Sequence, residues 1–201
     1  ITSKKNSDLY KNSDIGLITP EVKEAGLDMI PTSSTINQLS IGDALAISTL
    51  KKKKINNLDF KKFHPSGSLG EKLKTAEDLM LTKDKIPFIE EDKLMTKALK
   101  IMTEKKLGTL IVRNSKRYTT GIITDGQIRR FNLKNVNLNS LKVKDVMTKN
   151  PIKINKNTLA TKALAIMNEK KITSLCVYEK KKKFITIGIL HIHNILNRKI
   201  Y

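Results

Sequence analysis

Apolar positions in the second two-thirds of the chain follow two rhythms that arrive in the same order twice. In residues 96–106 (T-K-A-L-K-I-M-T-E-K-K), Ala98, Leu99 and Met102 keep the i, i+3, i+4 spacing of one helix face. Leu110 and Val112 then alternate as on a strand. A lysine-rich hairpin, a second strand opening at Gly121 and a closing helix complete the unit. The whole pattern recurs: T-K-A-L-A-I-M-N-E-K-K begins at Thr161 with Ala163, Leu164 and Met167 on the helix face, followed by Leu175 and Val177, then Gly188. Asp78-Leu79-Met80 opens the first copy and Asp145-Val146-Met147 the second, so a structural unit is duplicated. The methionines at helical spacing read as core filler.

The front of the chain has a different pattern. Residues 15–19 (I-G-L-I-T) form a short apolar run that ends at Pro20 and predicts a strand. After a loop with Glu21 and Glu24, Thr32, Ser33, Ser34 and Thr35 offer N-caps for a helix carrying Ile36, Leu39, Ile41, Leu45, Ala46 and Leu50. Its last turn is rich in lysine, as the helix dipole favours. Gly42 and Ala44 predict close packing of that helix on a sheet. A strand, a loop and a helix cannot cover both faces of a sheet. With Ile1 rather than Met at the start, the segment reads as the later part of a longer α/β domain. His64-Pro65-Ser66-Gly67-Ser68-Leu69-Gly70 is a loop dense in turn formers that leads into the repeats.

Composition narrows the functional classes. The 201 residues are 39% apolar, enough for ordinary cores, and contain neither a run long enough to span a membrane nor a secretory signal. Cys176 is the single cysteine and lies in an apolar run, which reads as a buried thiol in a reducing, cytoplasmic setting. The formal charge of +20 invites a nucleic-acid partner. Only five of the 39 basic residues are Arg, however, and aromatics make up 4% with no Trp. Bidentate phosphate contacts and base-stacking platforms are therefore scarce, and no nucleic-acid partner is expected.

The duplicated unit resembles a pair of CBS domains, a module that often senses adenine nucleotides or other anionic ligands. The residues that carry the likeness are the two D-x-M openings, the A-L-x-I-M helices, and the endings G-I-I-T-D-G-Q-I and G-I-L-H-I-H-N-I. Upstream, K-E-A-G-L-D-M-I-P-T-S-S-T, I-G-D-A-L-A and F-H-P-S-G-S-L-G resemble the C-terminal half of a SIS (sugar isomerase) domain. That order is similar to the D-arabinose-5-phosphate isomerase family. The resemblance implies an α/β fold: residues 1–73 as the later half of a SIS-type α/β sandwich with a parallel sheet, then α+β CBS repeats at 75–134 and 143–200. Residues 135–142 serve as a polar connector.

It also implies chemistry. Interconverting an aldose phosphate and a ketose phosphate moves a proton between neighbouring carbons through an enediol. A carboxylate and an imidazole suffice for this, without metal or redox cofactor. The resemblance gives Glu24 and His64 as the catalytic candidates and leaves open which moves which proton. Thr32 and Ser33 either touch substrate phosphate at a helix N-terminus or serve as caps. The family's phosphate-binding loop and a catalytic lysine belong to the first half of the SIS domain, so this chain alone is expected to be inactive. By family analogy the protein is a cytoplasmic homotetramer that acts on a pentose phosphate and serves Kdo and lipopolysaccharide synthesis.

In the CBS pair the cleft candidates are Thr124 and Gln127 in the first copy, His191 and Asn194 in the second. Family members that bind nucleotides commonly carry Asp where this chain has Gln127 and Asn194. The implied regulator is therefore a nucleotide or a sugar nucleotide rather than ATP or AMP in particular. His191 and His193 form an H-x-H pair, but no acidic residue or cysteine completes a metal site, and none is expected. The other class left open is a catalytically inactive CBS pair that senses a ligand or holds an assembly together.

Overall fold

A computed structural model describes residues 1–133, 137–198 and 200. Two compact units divide the chain, Ile1–Asn56 and Asn57–Tyr201. Residues 57–73, grouped above with the first segment, cluster with the repeats. Lys134 and Asn135, at the end of the first copy and the start of the connector, lie outside the described residues.

In the first unit, α1 (Asp8–Lys11) is capped by Ser7, whose Oγ accepts from the Tyr10 N–H at 3.3 Å. The expected strand at 15–19 is reduced to a single parallel bridge between Thr2 and Ile18. The Thr2 N–H donates to Leu17 O and the Thr19 N–H to Thr2 O, both at 3.0 Å. One bridge offers no sheet face, and this governs the helix that follows. That helix, α2 (Ser33–Lys52), forms as its spacing predicts and ends on Lys51 and Lys52, yet none of its residues is buried. Ile36 and Leu39 are each 65% exposed. Nothing lies within 4 Å of a Cβ built on Gly42, and Ala44 is exposed, so the close packing expected at those positions is absent from this unit.

The second unit begins with α3 (Asn57–Phe63) and α4 (Gly67–Lys72). Two copies of one βαββα arrangement follow, each preceded by a short helical turn. The first copy comprises α5 (Ala76–Leu79), β1 (Phe88–Glu90), α6 (Met95–Lys105), β2 (Thr109–Arg113), β3 (Thr119–Thr124) and α7 (Asp125–Leu133). The second comprises α8 (Val143–Val146), β4 (Thr148–Lys149), β5 (Lys153–Asn155), α9 (Ala160–Lys170), β6 (Ser174–Tyr178), β7 (Gly188–His191) and α10 (Ile192–Leu196). In each copy the first main strand runs parallel to the second, with the helix as crossover, and the second pairs antiparallel with the third.

The packing unit is displaced from the sequence repeat. Each opening D-x-M segment leaves its own copy and joins the other. Ala76 and Leu79 enter the core built on Ile154, Met167, Leu175 and Leu190, and Leu81 bridges Ile189. Reciprocally, Val143 and Val146 enter the core of Ile89, Met102, Leu110 and Ile123, and β4 adds to β3. Glycine makes the exchange possible: the Met147 thioether lies where a Cβ on Gly121 would go, and Met80 does the same at Gly188.

Met102 and Met167 are core residues, 6% and 1% exposed. Leu110 and Val112, like Leu175 and Val177, do face one core. The residues between them are buried as well, because Ile111, Cys176, Ile189 and Ile86 form a further cluster between the copies. Polar pairs accompany this seam, Thr109 Oγ1 to Ser174 Oγ at 3.1 Å and Thr119 Oγ1 to Thr186 Oγ1 at 2.7 Å. Within the connector, Leu138 is buried in the first core rather than solvated.

Candidate functional site

In the first unit Glu24 sits in the loop before α2, and its carboxylate reaches back to the helix start. Oε2 accepts from the Thr32 N–H at 2.7 Å, the Thr32 hydroxyl at 3.0 Å and the Ser34 N–H at 3.3 Å. The Ala25 N–H in turn donates to Thr32 Oγ1 at 2.8 Å, and the Glu24 N–H to Asp28 Oδ1 at 2.6 Å. Thr32 is the N-cap residue but makes no side-chain cap bond; Glu24 supplies that acceptor from eight residues upstream. Hydrogen bonds from the Ser34 side chain, then from the Thr32 and Ser34 backbones, pull the Glu24 pKa down to about 2. Ser33 is the first residue of α2 and is half-buried.

Beside Glu24 opens a polar cavity of about 280 Å³, lined by Lys4, Thr19, Ser34, Asn37 and Gln38 among others. Asn37 Nδ2 is buried there without a hydrogen-bond partner. The sequence reading missed Asn37 and Gln38, although Ser34, Asn37 and Gln38 hold the i, i+3, i+4 spacing of one helix face.

His64 belongs to the second unit, directly after α3. Its ring stacks on Phe60 with centroids 4.4 Å apart and planes 24° from parallel. Its N–H donates to Phe60 O and Lys61 O, each at 3.2 Å, and Nδ1 lies 3.3 Å from Phe60 O. A carbonyl oxygen can only accept, so this contact requires the proton on Nδ1 and leaves Nε2 of the neutral ring as a proton acceptor.

The four cleft candidates form two equivalent caps at the N-termini of α7 and α10. Gln127 Oε1 accepts from the Thr124 N–H at 3.0 Å, while its amide donates to Thr148 Oγ1 at 2.6 Å and Val146 O at 3.3 Å. Asn194 Oδ1 accepts from the His191 N–H at 3.2 Å, and His191 Nδ1 accepts from the His193 N–H at 3.3 Å. Gln127 thus also ties the first copy to the exchanged segment of the second. Burial, then the neighbouring His193, pushes the His191 pKa down. Among the described residues no group of three or more His, Cys, Asp or Glu is placed to hold a metal ion, and no helix is long and apolar enough to cross a membrane.

Two copies of one βαββα unit that exchange their opening segments define a tandem paired-domain module. Residues 76–134 and 143–200 both match the CBS domain, and the chain belongs to the CBS-domain family. The fold is shared with crystal structures of a CBS protein, CBSX2, in complex with AMP (TM-score 0.55, 23% identity, 63% of this chain and 96% of that one). It is shared equally with the CBS domain pair of MJ0100 in complex with 5′-methylthioadenosine and S-adenosyl-L-methionine (TM-score 0.55, 17% identity, 62% of this chain and 94% of that one).

The similarity to full-length relatives extends well beyond the CBS pair. Over 98% of its length the chain is 36% identical to the arabinose 5-phosphate isomerase KdsD of Escherichia coli (strain K12). It is 37% identical, again over 98% of its length, to an uncharacterized protein of Rickettsia prowazekii (strain Madrid E). The chain spans 60% of the length of each of these relatives.

Proposed function

We propose that the chain is part of an aldose–ketose isomerase that interconverts D-arabinose 5-phosphate and D-ribulose 5-phosphate, its CBS pair serving as a regulatory or assembly module. The observation that carries this reading is the 36% identity to arabinose 5-phosphate isomerase along 98% of the chain, which includes the Glu24 and His64 segments upstream of the CBS match. In this reading residues 1–73 belong to a SIS domain and residues 75–134 and 143–200 are the two CBS domains. The enzyme is a cytoplasmic homotetramer feeding Kdo synthesis.

In the aldose-to-ketose direction a base removes the C2 proton, and the electron pair forms the enediol as the C1 carbonyl oxygen gains a proton. Return of a proton to C1 and loss of the O2 proton then give the ketose. A carboxylate suits the carbon-bound proton, and an imidazole with a free Nε2 suits the transfer between oxygens. Glu24 and His64 take these two parts. A carboxylate held near pKa 2 is a weak base, so Glu24 has to give up its hydrogen bonds to Thr32 and Ser34 when it acts. The polar cavity beside it offers hydroxyl-bonding partners. The Thr124–Gln127 and His191–Asn194 caps are the residues assigned to a regulatory cleft, for which a nucleotide or sugar nucleotide is the ligand class, as the nucleotide-bound CBS structures support.

The test is turnover of arabinose 5-phosphate by the complete polypeptide and its Glu24→Gln and His64→Ala variants. Each variant should lose roughly 10²–10⁴-fold in turnover with an unchanged circular dichroism spectrum. Near-normal turnover in either removes that residue from the mechanism. Absence of turnover in the unmutated polypeptide, with nucleotide binding intact, would favour an inactive ligand-sensing module.

A further inference from the structure

We infer that Lys61 is a positioning residue for His64, clamping the imidazole-bearing helix turn to the CBS pair through Asp78. The inference rests on the reading of His64 as a proton carrier. Lys61 Nζ lies 2.5 Å from Asp78 Oδ2, the two side chains each 30% exposed. That same carboxylate oxygen accepts from the Thr75 N–H at 2.7 Å and the Thr75 hydroxyl at 2.9 Å. Burial raises the cost of this charge, but the Lys61 and Thr75 hydrogen bonds outweigh it and keep the carboxylate ionised.

On one side of the pair, the Lys61 carbonyl accepts the His64 N–H, and Phe60, one residue earlier, both stacks on the ring and faces Nδ1 with its carbonyl. Lys61 is therefore in the turn that sets the direction of Nε2. On the other side, Asp78 is part of the exchanged segment. The Ala76 N–H donates to Thr158 O at 2.8 Å and the Glu77 N–H to Lys156 O at 2.9 Å, while Met80 fills the space over Gly188 at the start of β7. His191, one of the cleft candidates, ends that same strand. The ion pair thus joins the imidazole turn to the segment whose Met80 packs on the strand that carries the second cap. Lys62, the next residue on α3, pairs instead with Asp59 of its own helix.

The experiment compares Lys61→Met, Lys61→Arg and Lys62→Met by two readouts: isomerase kinetics of the complete polypeptide, and NMR of the three histidine rings. Lys61→Met should lower kcat about tenfold with KM unchanged, as a misplaced proton carrier would. It should shift the His64 ring signals while those of His191 and His193 stay in place. Lys61→Arg should restore both readouts, and Lys62→Met should change neither. His64 signals that do not move in Lys61→Met overturn the clamp whatever the kinetics show. An equal kcat loss in Lys62→Met, or a kcat unchanged while the His64 signals move, overturns the positioning role. If the His64 signals move with arginine rescue but the unmutated polypeptide has no turnover, the clamp stands and the isomerase reading falls.

Discussion

Gly188→Ala tests the exchange of opening segments at the point where it leaves least room. A Cβ at Gly188 would overlap the Met80 sulfur, and would lie 2.8 Å from Met80 Cγ and 3.1 Å from its Cβ. Rotation of the thioether alone cannot clear the last two atoms, so backbone of one segment has to shift. Overpacking of this kind costs about 1–3 kcal/mol. For a chain of this size, each kcal/mol lowers the melting temperature by roughly 2–4 °C. Met80→Ala removes the sulfur and Cγ, leaving only its Cβ near the new methyl, at a cost of its own that is less than for a fully buried Met because Met80 is only partly buried. In the double variant the two shortest contacts are gone and only the 3.1 Å approach of the two Cβ atoms remains, so it should be less destabilised than the sum of the singles by about 1–2 kcal/mol. Urea melts of the four proteins close the cycle, with Gly126→Ala as control, since its nearest neighbours lie at 3.9 Å. Gly121→Ala against Met147→Ala should repeat the result in the other copy. Strict additivity, or a Gly188→Ala midpoint equal to the control's, would refute the placement of Met80 on the second copy.

Met167→Ala should cost about 2–5 kcal/mol, read as a denaturant midpoint shift, because the side chain is 1% exposed among core residues of the second copy. Burial, partly offset by Thr186 and Lys153, pushes the Cys176 thiol up to about 11, so a thiol reagent at pH 8 should label it only after unfolding. Because the folded thiol holds its proton where an unfolded one near 9 has lost it, stability should also fall between pH 9 and about 11. Glu24 has the opposite sign: its folded pKa of about 2 lies below the ordinary 4.5, so its capping contribution to α2 is complete above that value and is lost as pH falls towards 2. Amide protection at the start of α2, taken relative to the intrinsic exchange rate at each pH, should fall over that window in the native sequence and show no such step in Glu24→Gln.

The periodicity of the repeats determined their elements. Helix spacing at Ala98 and Met102, alternation at Leu110 and Val112, and the same pattern one copy later depend on local geometry that a sequence displays directly. The likeness of the K-E-A and H-P-S-G strings to a known family pointed to Glu24 and His64, and the i, i+3, i+4 face of Ser34, Asn37 and Gln38 was visible had it been sought. Tertiary structure decided the rest. That Gly121 and Gly188 make room for methionines of the opposite copy could not be read from either repeat, because the contact joins segments more than a hundred residues apart in one case (Met80 and Gly188) and 26 in the other (Gly121 and Met147). The capping of α2 by a glutamate eight residues upstream, in place of four adjacent hydroxyl residues, was hidden for the same reason: the loop path, not residue type, brings the carboxylate to the helix. Local periodicity sets which backbone forms, whereas which surfaces meet depends on the packing of all the segments at once, and that is settled only when the chain has folded.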